Sequence, residues 1–375
     1  MRSPLSYLET LALAAAGLLL APCGSGAAER AANVFGFPVI SSYAPDDLGT
    51  ESSGFSGIED PAGGLLFGTD SLVSYDGDKW RSFPIDGAYG VRGLDFDSSG
   101  RLWVACTGNI GWFERGLGNA WQFHPLRDRP GYADAPLGEM WRVFVDRHGP
   151  TFIAEDAILR WNGVSFQKWS MPGTKRLLGT RVAGTVYVHY VRPNDGIYAM
   201  TSTGPELFIP QSVLGADRAV LWMDKVGADL LMATSDGLFL YRDGILTPFA
   251  EGISNFFVRE RVTCGIILPD GRYAFGTFSG GIVLVRANGT VDRFLEKKDG
   301  VPSEYIRSFL LDRQGGLWAT SPSHIFRIDV QSRTSLFDKR ADLEAQGYNR
   351  IVKSGSAMVL ASENGLLELA ADKRH

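Results

Sequence analysis

One short pattern returns along this chain at a spacing of roughly 42 residues, and a period of that length fixes an architecture before any single strand is assigned. One copy runs from Leu94 to Thr107, with Asp97, Gly100, Leu102 and Trp103 at fixed offsets. Another runs from Phe309 to Thr320, with Asp312, Gly315, Leu317 and Trp318 at the same offsets. Each reads as an apolar strand, an Asp-x-x-Gly turn, and a second strand ending in a small residue and threonine. The turn recurs at Asp60/Gly63, Asp146/Gly149 and Asp224/Gly227. Asp at the first position accepts bonds from the backbone ahead of it, and Gly suits the fourth, so these aspartates are expected to build turns rather than to catalyse.

A third strand follows each unit, as in Leu72–Tyr75, Ile110–Phe113 and Ile325–Ile328, and in several repeats a fourth, edge-like strand carries an aromatic, as in Trp80–Phe83 and Phe166–Trp169. Four short strands per repeat at this period specify a β-propeller blade. The 45 glycines among 375 residues agree with many tight turns. Eight repeats start near Ile58, Leu94, Val143, Leu178, Leu221, Ile266, Phe309 and Ile351. The eighth lacks an outer strand of its own, and Phe37–Tyr43 is an orphan strand before the first. Pairing the two predicts an all-β, eight-bladed single ring closed by the N-terminal strand, without an exposed edge. The alternative is a seven-bladed ring, with the eighth repeat beginning a second propeller.

The Asp-x-x-Gly-x-Leu-Trp-x-x-Thr pattern at Asp97–Thr107 and Asp312–Thr320, with Thr234-Ser235-Asp236-Gly237-Leu238 downstream of another turn, resembles the two-component regulator propeller repeat. The resemblance covers residues from about 37 to 370; Phe152 and Tyr187 stand where it expects tryptophan. It implies a periplasmic sensor part of a hybrid histidine kinase or related receptor, and with it a membrane-bound sensor kinase as partner. The WD-repeat and kelch signatures are missing. A metal-assisted propeller hydrolase or lyase, the less favoured enzyme reading, would use inner-strand acids such as Glu59 and Asp95 and would need several converging ligands. No enzyme activity, metal or cofactor is expected.

Residues 1–28 read as an export signal. Arg2 precedes an apolar run from Leu11 to Ala21, which is too short for a membrane span, and small residues allow cleavage after Ala27 or Ala28. Leu20-Ala21-Pro22-Cys23 also resembles a lipoprotein box, with Cys23 as the lipid-bearing residue. Residues 29–375 form the propeller domain, expected to be periplasmic or extracellular with no transmembrane segment. A formal net charge of -5 argues against a nucleic-acid partner. Cys106 and Cys264 lie in distant repeats and are expected to stay free thiols.

One feature is able to select a ligand. The approach to the first strand carries an arginine in repeats two through eight: Arg92, Arg142, Arg176, Arg218, Arg261, Arg307 and Arg350, with Tyr89, Trp141, Tyr305 and Tyr348 beside some of them. First strands line the propeller channel, so these residues are expected to ring its mouth, fork onto carboxylate or sulfate groups and stack on sugar faces. The ligand-binding set is thus Arg92, Trp141, Arg142, Arg176, Arg218, Arg261, Tyr305, Arg307, Tyr348 and Arg350, for a glycan or anionic small ligand. The competing expectation is that each arginine bonds a carbonyl or a nearby acid and locks the blades. The alternative at the level of function is a protein-interaction scaffold.

Overall fold

The computed structural model describes residues 36–132, 139–170, 177–191, 194–215, 218–332, 336–338, 343, 348–354, 357–363 and 365–369. The proposed leader, its Cys23 and Arg176 lie outside the described residues. The chain divides into two compact units, one of Phe37–Arg340 and one of Met1–Gly36 with Ala341–His375.

The larger unit is an all-β propeller. Seven four-stranded antiparallel sheets follow one another. Their inner strands are Ser56–Glu59, Val91–Phe96, Met140–Asp146, Leu177–Val182, Val220–Val226, Val262–Ile267 and Ser308–Leu311. Each inner strand contacts the next, and the seventh contacts the first, so the ring is closed. Burial follows the position within a blade. Second strands such as Leu102–Cys106 and Tyr273–Thr277 are buried throughout, because neighbouring blades cover both of their faces. Outer strands such as Trp80–Phe83 are mostly exposed or half-buried.

The predicted ring of eight is corrected here. The N-terminal strand Ile40–Tyr43 pairs with Ile325–Ile328 of the seventh repeat, Ile40 opposite Ile328 and Tyr43 opposite Ile325. It supplies the fourth strand that the seventh repeat lacks. The eighth repeat forms a separate three-stranded sheet of Tyr348–Ser354, Ala357–Ser362 and Gly365–Leu369 in the smaller unit. Aromatic packing secures the closure. Tyr43 stacks on Trp318 of its own blade at 5.9 Å, and both meet Tyr75 and Trp80 of blade one. Such pairs add about 0.5–1.5 kcal/mol each beyond the area they bury. The Ser53 hydroxyl donates to the Ser321 carbonyl at 2.9 Å across the same seam.

Asp60, Asp97, Asp146 and Asp312 do what their spacing predicts, each accepting from the backbone N–H two residues ahead. Asp224 departs from it, lying inside the strand Val220–Val226 opposite Leu231 and accepting from the adjacent Lys225 N–H at 2.7 Å instead. Gly63, Gly100, Gly149, Gly227 and Gly315 all have φ between 61° and 103°, which glycine adopts without steric cost. Asp312 Oδ1 accepts from the backbone N–H groups of Gln314 and Gly316 at 3.0 and 2.7 Å. Its Oδ2 accepts from Trp318 Nε1 at 2.8 Å and Arg327 Nε at 3.0 Å. Asp97 repeats the scheme with Ser99, Arg101 and Trp103. The motif is therefore one hydrogen-bonded unit in which the aspartate holds both the turn and the tryptophan. Burial pushes the Asp312 carboxyl upward, but the bonds from Arg327, Trp318 and Gly316 outweigh it and leave it below the ordinary carboxylate range. Trp103 and Trp318 are 4% and 3% exposed; Trp103 meets Phe152 of the next blade at 6.2 Å. Cys106 and Cys264 are buried free thiols, and burial pushes Cys264 up to about 12.

Candidate functional site

A β-bulge at the start of an inner strand inserts one extra residue and re-aims its side chain. The register breaks between Val91 and Gly93, between Met140 and Arg142, between Val220 and Trp222, and between Val262 and Cys264. The inserted residues are Arg92, Trp141, Leu221 and Thr263. In blades one and seven the residue just before the inner strand, Phe55 or Arg307, bonds the second strand through its N–H at 2.7 or 2.8 Å and holds the corresponding place. These six residues, joined by Leu177 and Leu178 of blade four, line one cavity of ≈ 760 Å³ to which all seven blades contribute. That cavity is the channel mouth.

Cations and rings alternate along one arc of the mouth. Arg261 lies 4.3 Å from the Phe278 ring centre, and Phe278 packs on Tyr305 at 4.6 Å. Arg307 lies 5.6 Å from Tyr305 and 4.2 Å from Phe55. Arg92 then lies 5.2 Å from Phe55 and 4.5 Å from Trp141. Each contact of this kind is worth about 0.5–2 kcal/mol and holds a guanidinium in place.

The three arginines inside the cavity differ in their partners. Arg92 donates to Thr107 Oγ1 and to Glu139 Oε1, both at 3.1 Å. Arg142 donates through Nη1 to the carbonyls of Arg92 and Trp141 at 3.1 and 3.0 Å. Arg307 has the Tyr305 hydroxyl beside it. Among the described residues neither Arg142 nor Arg307 forms an ion pair, and burial lowers both below the usual arginine value, with Arg92 adding repulsion. An arginine stays charged even so. Two uncompensated guanidinium forks therefore stand in a partly enclosed cavity, where an anion is stabilised far more than in open water.

Of the sequence-predicted residues, the structure brings Arg92, Trp141, Arg142, Tyr305 and Arg307 together. Arg218 is placed elsewhere: it forks onto Asp236 with contacts of 2.8 Å, donates to the Leu214 carbonyl at 2.7 Å and covers the Phe239 ring. It acts as a lock within its blade, which corrects its assignment to the mouth. Arg261 is exposed and reaches the arc only through Phe278; its φ of 56° at the end of the helix Ser254–Glu260 turns it away from the bulge position. Tyr89 is 77% exposed and is not among the residues lining the cavity. Tyr348 and Arg350 belong to the smaller unit, and the mouth is built by the larger unit alone. Sequence reasoning missed Phe55 and Phe278. Phe55 was within reach of it, since it immediately precedes the first inner strand as Arg307 does the seventh.

Arg218→Ala is expected to leave ligand affinity unchanged and to cost about 1 kcal/mol, because both partners are partly solvated. Denaturant unfolding beside a binding titration checks this, and a loss of affinity would return Arg218 to the site.

The inner-strand acids considered for a metal are otherwise engaged. Asp95 accepts from the Val145 N–H at 2.6 Å and pairs with Arg181, tying blades two, three and four. Glu59 faces Arg313 at 3.5 Å across the ring closure. Burial nevertheless raises the Asp95 carboxyl, against the pull of Arg181.

No family model matches the chain, and no curated protein matches it. Solved propellers do. The extracellular domain assigned to the hybrid two component system BT3049 from B. thetaiotaomicron superposes with a TM-score of 0.65 at 13% identity, over 89% of this chain and 49% of that one. The corresponding domain of BT4673 from the same organism gives 0.61 at 13%, over 88% and 45%. This chain thus spans about half the length of those structures. A streptogramin B lyase structure gives 0.58 at 14%, over 78% and 97%. At such identities the likeness is one of fold.

Proposed function

We propose that this chain is an exported, sensor-type ligand-binding propeller of the two-component regulator kind, taking a polar or anionic ligand such as an acidic oligosaccharide in the channel mouth. The observation that carries the reading is the pair Arg142 and Arg307, enclosed in the mouth without carboxylate partners among the described residues. The fold shared with extracellular domains of two-component systems supports the sensor role and export, as does the leader-like segment 1–28. In this reading the domain binds without catalysing, needs no cofactor, and passes occupancy to a membrane-bound sensor kinase. A second reading, a protein-interaction scaffold, draws on exposed apolar side chains of two outer strands, Leu207 and Ile245.

The test is a thermal-shift screen of the purified chain against matched anionic and neutral small ligands, acidic oligosaccharides and aliphatic or aryl acids among them, at two salt concentrations. A ligand present at a hundredfold its Kd adds about 2.7 kcal/mol and raises the midpoint visibly. A shift with acidic ligands that shrinks with salt is expected. A flat screen in folded protein would instead favour the scaffold.

A further inference from the structure

The mouth is chemically divided, and the division narrows the ligand. Within the cavity lining, blades seven, one, two and three supply the cations and aromatics, while Arg261 and Phe278 of blade six extend that arc outside the lining. Blades four, five and six supply Leu177, Leu178, Leu221 and Val262, together with Thr263. The hydroxyl of Thr263 is already committed to the Ile306 carbonyl at 2.5 Å. The second arc therefore presents an apolar wall, with Leu178 and Leu221 half-buried against the cavity. The acid facing the cavity, Glu155, is exposed and comes from blade three.

We propose that the preferred ligand is an amphipathic anion: one sulfonate, sulfate or carboxylate head on Arg142 and Arg307, and an apolar body on the Leu178 and Leu221 wall. This deepens the reading of the mouth as an anion site and rests on it. A sugar ring carrying hydroxyls on every edge would press some of them against that wall, where an unpaired hydroxyl is costly. A flat or aliphatic body gains from the same contact through the apolar area it removes from water.

The experiment titrates the full chain calorimetrically with two probes, sodium sulfate and sodium naphthalene-2-sulfonate, and repeats both on Leu221→Asn and on Arg142→Met. The sulfonate is expected to bind at least about tenfold more tightly than sulfate. Leu221→Asn should erase most of that preference and leave sulfate unchanged, while Arg142→Met weakens both. Should Leu221→Asn fail to fold, Leu178→Thr reads the same wall. Equal affinities for the two probes, or a preference untouched by the wall variant, would overturn the amphipathic ligand and leave the anion site standing. Binding of both probes with full affinity by Arg142→Met would overturn the anion site, and this inference with it.

Discussion

Replacing Gly93 by valine is expected to destabilise the propeller by roughly 3 kcal/mol or more, one of the largest effects available to a single substitution here. A Cβ at this position would stand 2.6 Å from the Val143 nitrogen and 2.8 Å from the Arg142 Cα. Those atoms are backbone, so the clash cannot be relieved by a rotamer change. Blades two and three would have to separate along their inner strands, breaking the Arg142 Nη1 bond to the Arg92 carbonyl at 3.1 Å. In domains approaching this size each kcal/mol moves the midpoint by about 2–4 °C, so a loss of roughly 6–12 °C is expected by differential scanning calorimetry. Ligand affinity should fall as well, because the glycine sets how far Arg142 projects. Unchanged stability would show that the two inner strands do not approach as closely as described.

Arg142→Met is expected to separate binding from stability. The guanidinium is enclosed, lacks a carboxylate partner and is bonded to two backbone carbonyls through one nitrogen. An enclosed charge without a counter-ion contributes little to folding and often costs free energy, so an apolar residue of similar length should leave the apo midpoint unchanged or higher. Binding should suffer: losing charge-assisted bonds worth about 1.5–3 kcal/mol weakens an anionic ligand roughly ten- to a hundredfold. Arg142→Lys keeps the charge without the fork and should fall in between. Calorimetric titration beside thermal unfolding reads both quantities. A destabilised variant with full affinity would make Arg142 a lock, as Arg218 is.

The blade itself is legible in the sequence because its chemistry is local. Asp97 and Asp312 bond residues two to six positions ahead, and the paired glycines take the positive φ that the turn needs. Ring closure is not local. The orphan strand and the incomplete eighth repeat look like partners, yet the seventh repeat also lacks an outer strand, and Ile40–Tyr43 pairs there. The sequence after Ile325–Ile328 does carry an aromatic, Phe337, which reads as an outer strand, yet Leu336 beside it only bridges Phe37, and Ile40–Tyr43 takes the outer place with Tyr43 stacked on Trp318.

The site was half legible for a related reason. Arginine near a strand start is visible, but the bulge that selects which residue enters the mouth leaves no mark in composition. It sends Arg92 inward in blade two, but in blade three it inserts Trp141, next to Arg142. In blade five it selects Leu221, three residues past Arg218, and the fork on Asp236 claims that arginine instead. The apolar wall escaped notice because leucines at strand starts read as core.

On the function proposed above, Arg142 and Arg307 act together as an anion receptor in the mouth of the seven-bladed ring. A crystal of the full chain soaked in sodium selenate tests it directly, since selenium marks the anion by its anomalous scattering. A peak within hydrogen-bonding distance of both guanidinium groups is expected, lost in Arg142→Met. Peaks confined to the outer surface, with the mouth empty of selenium, would contradict it.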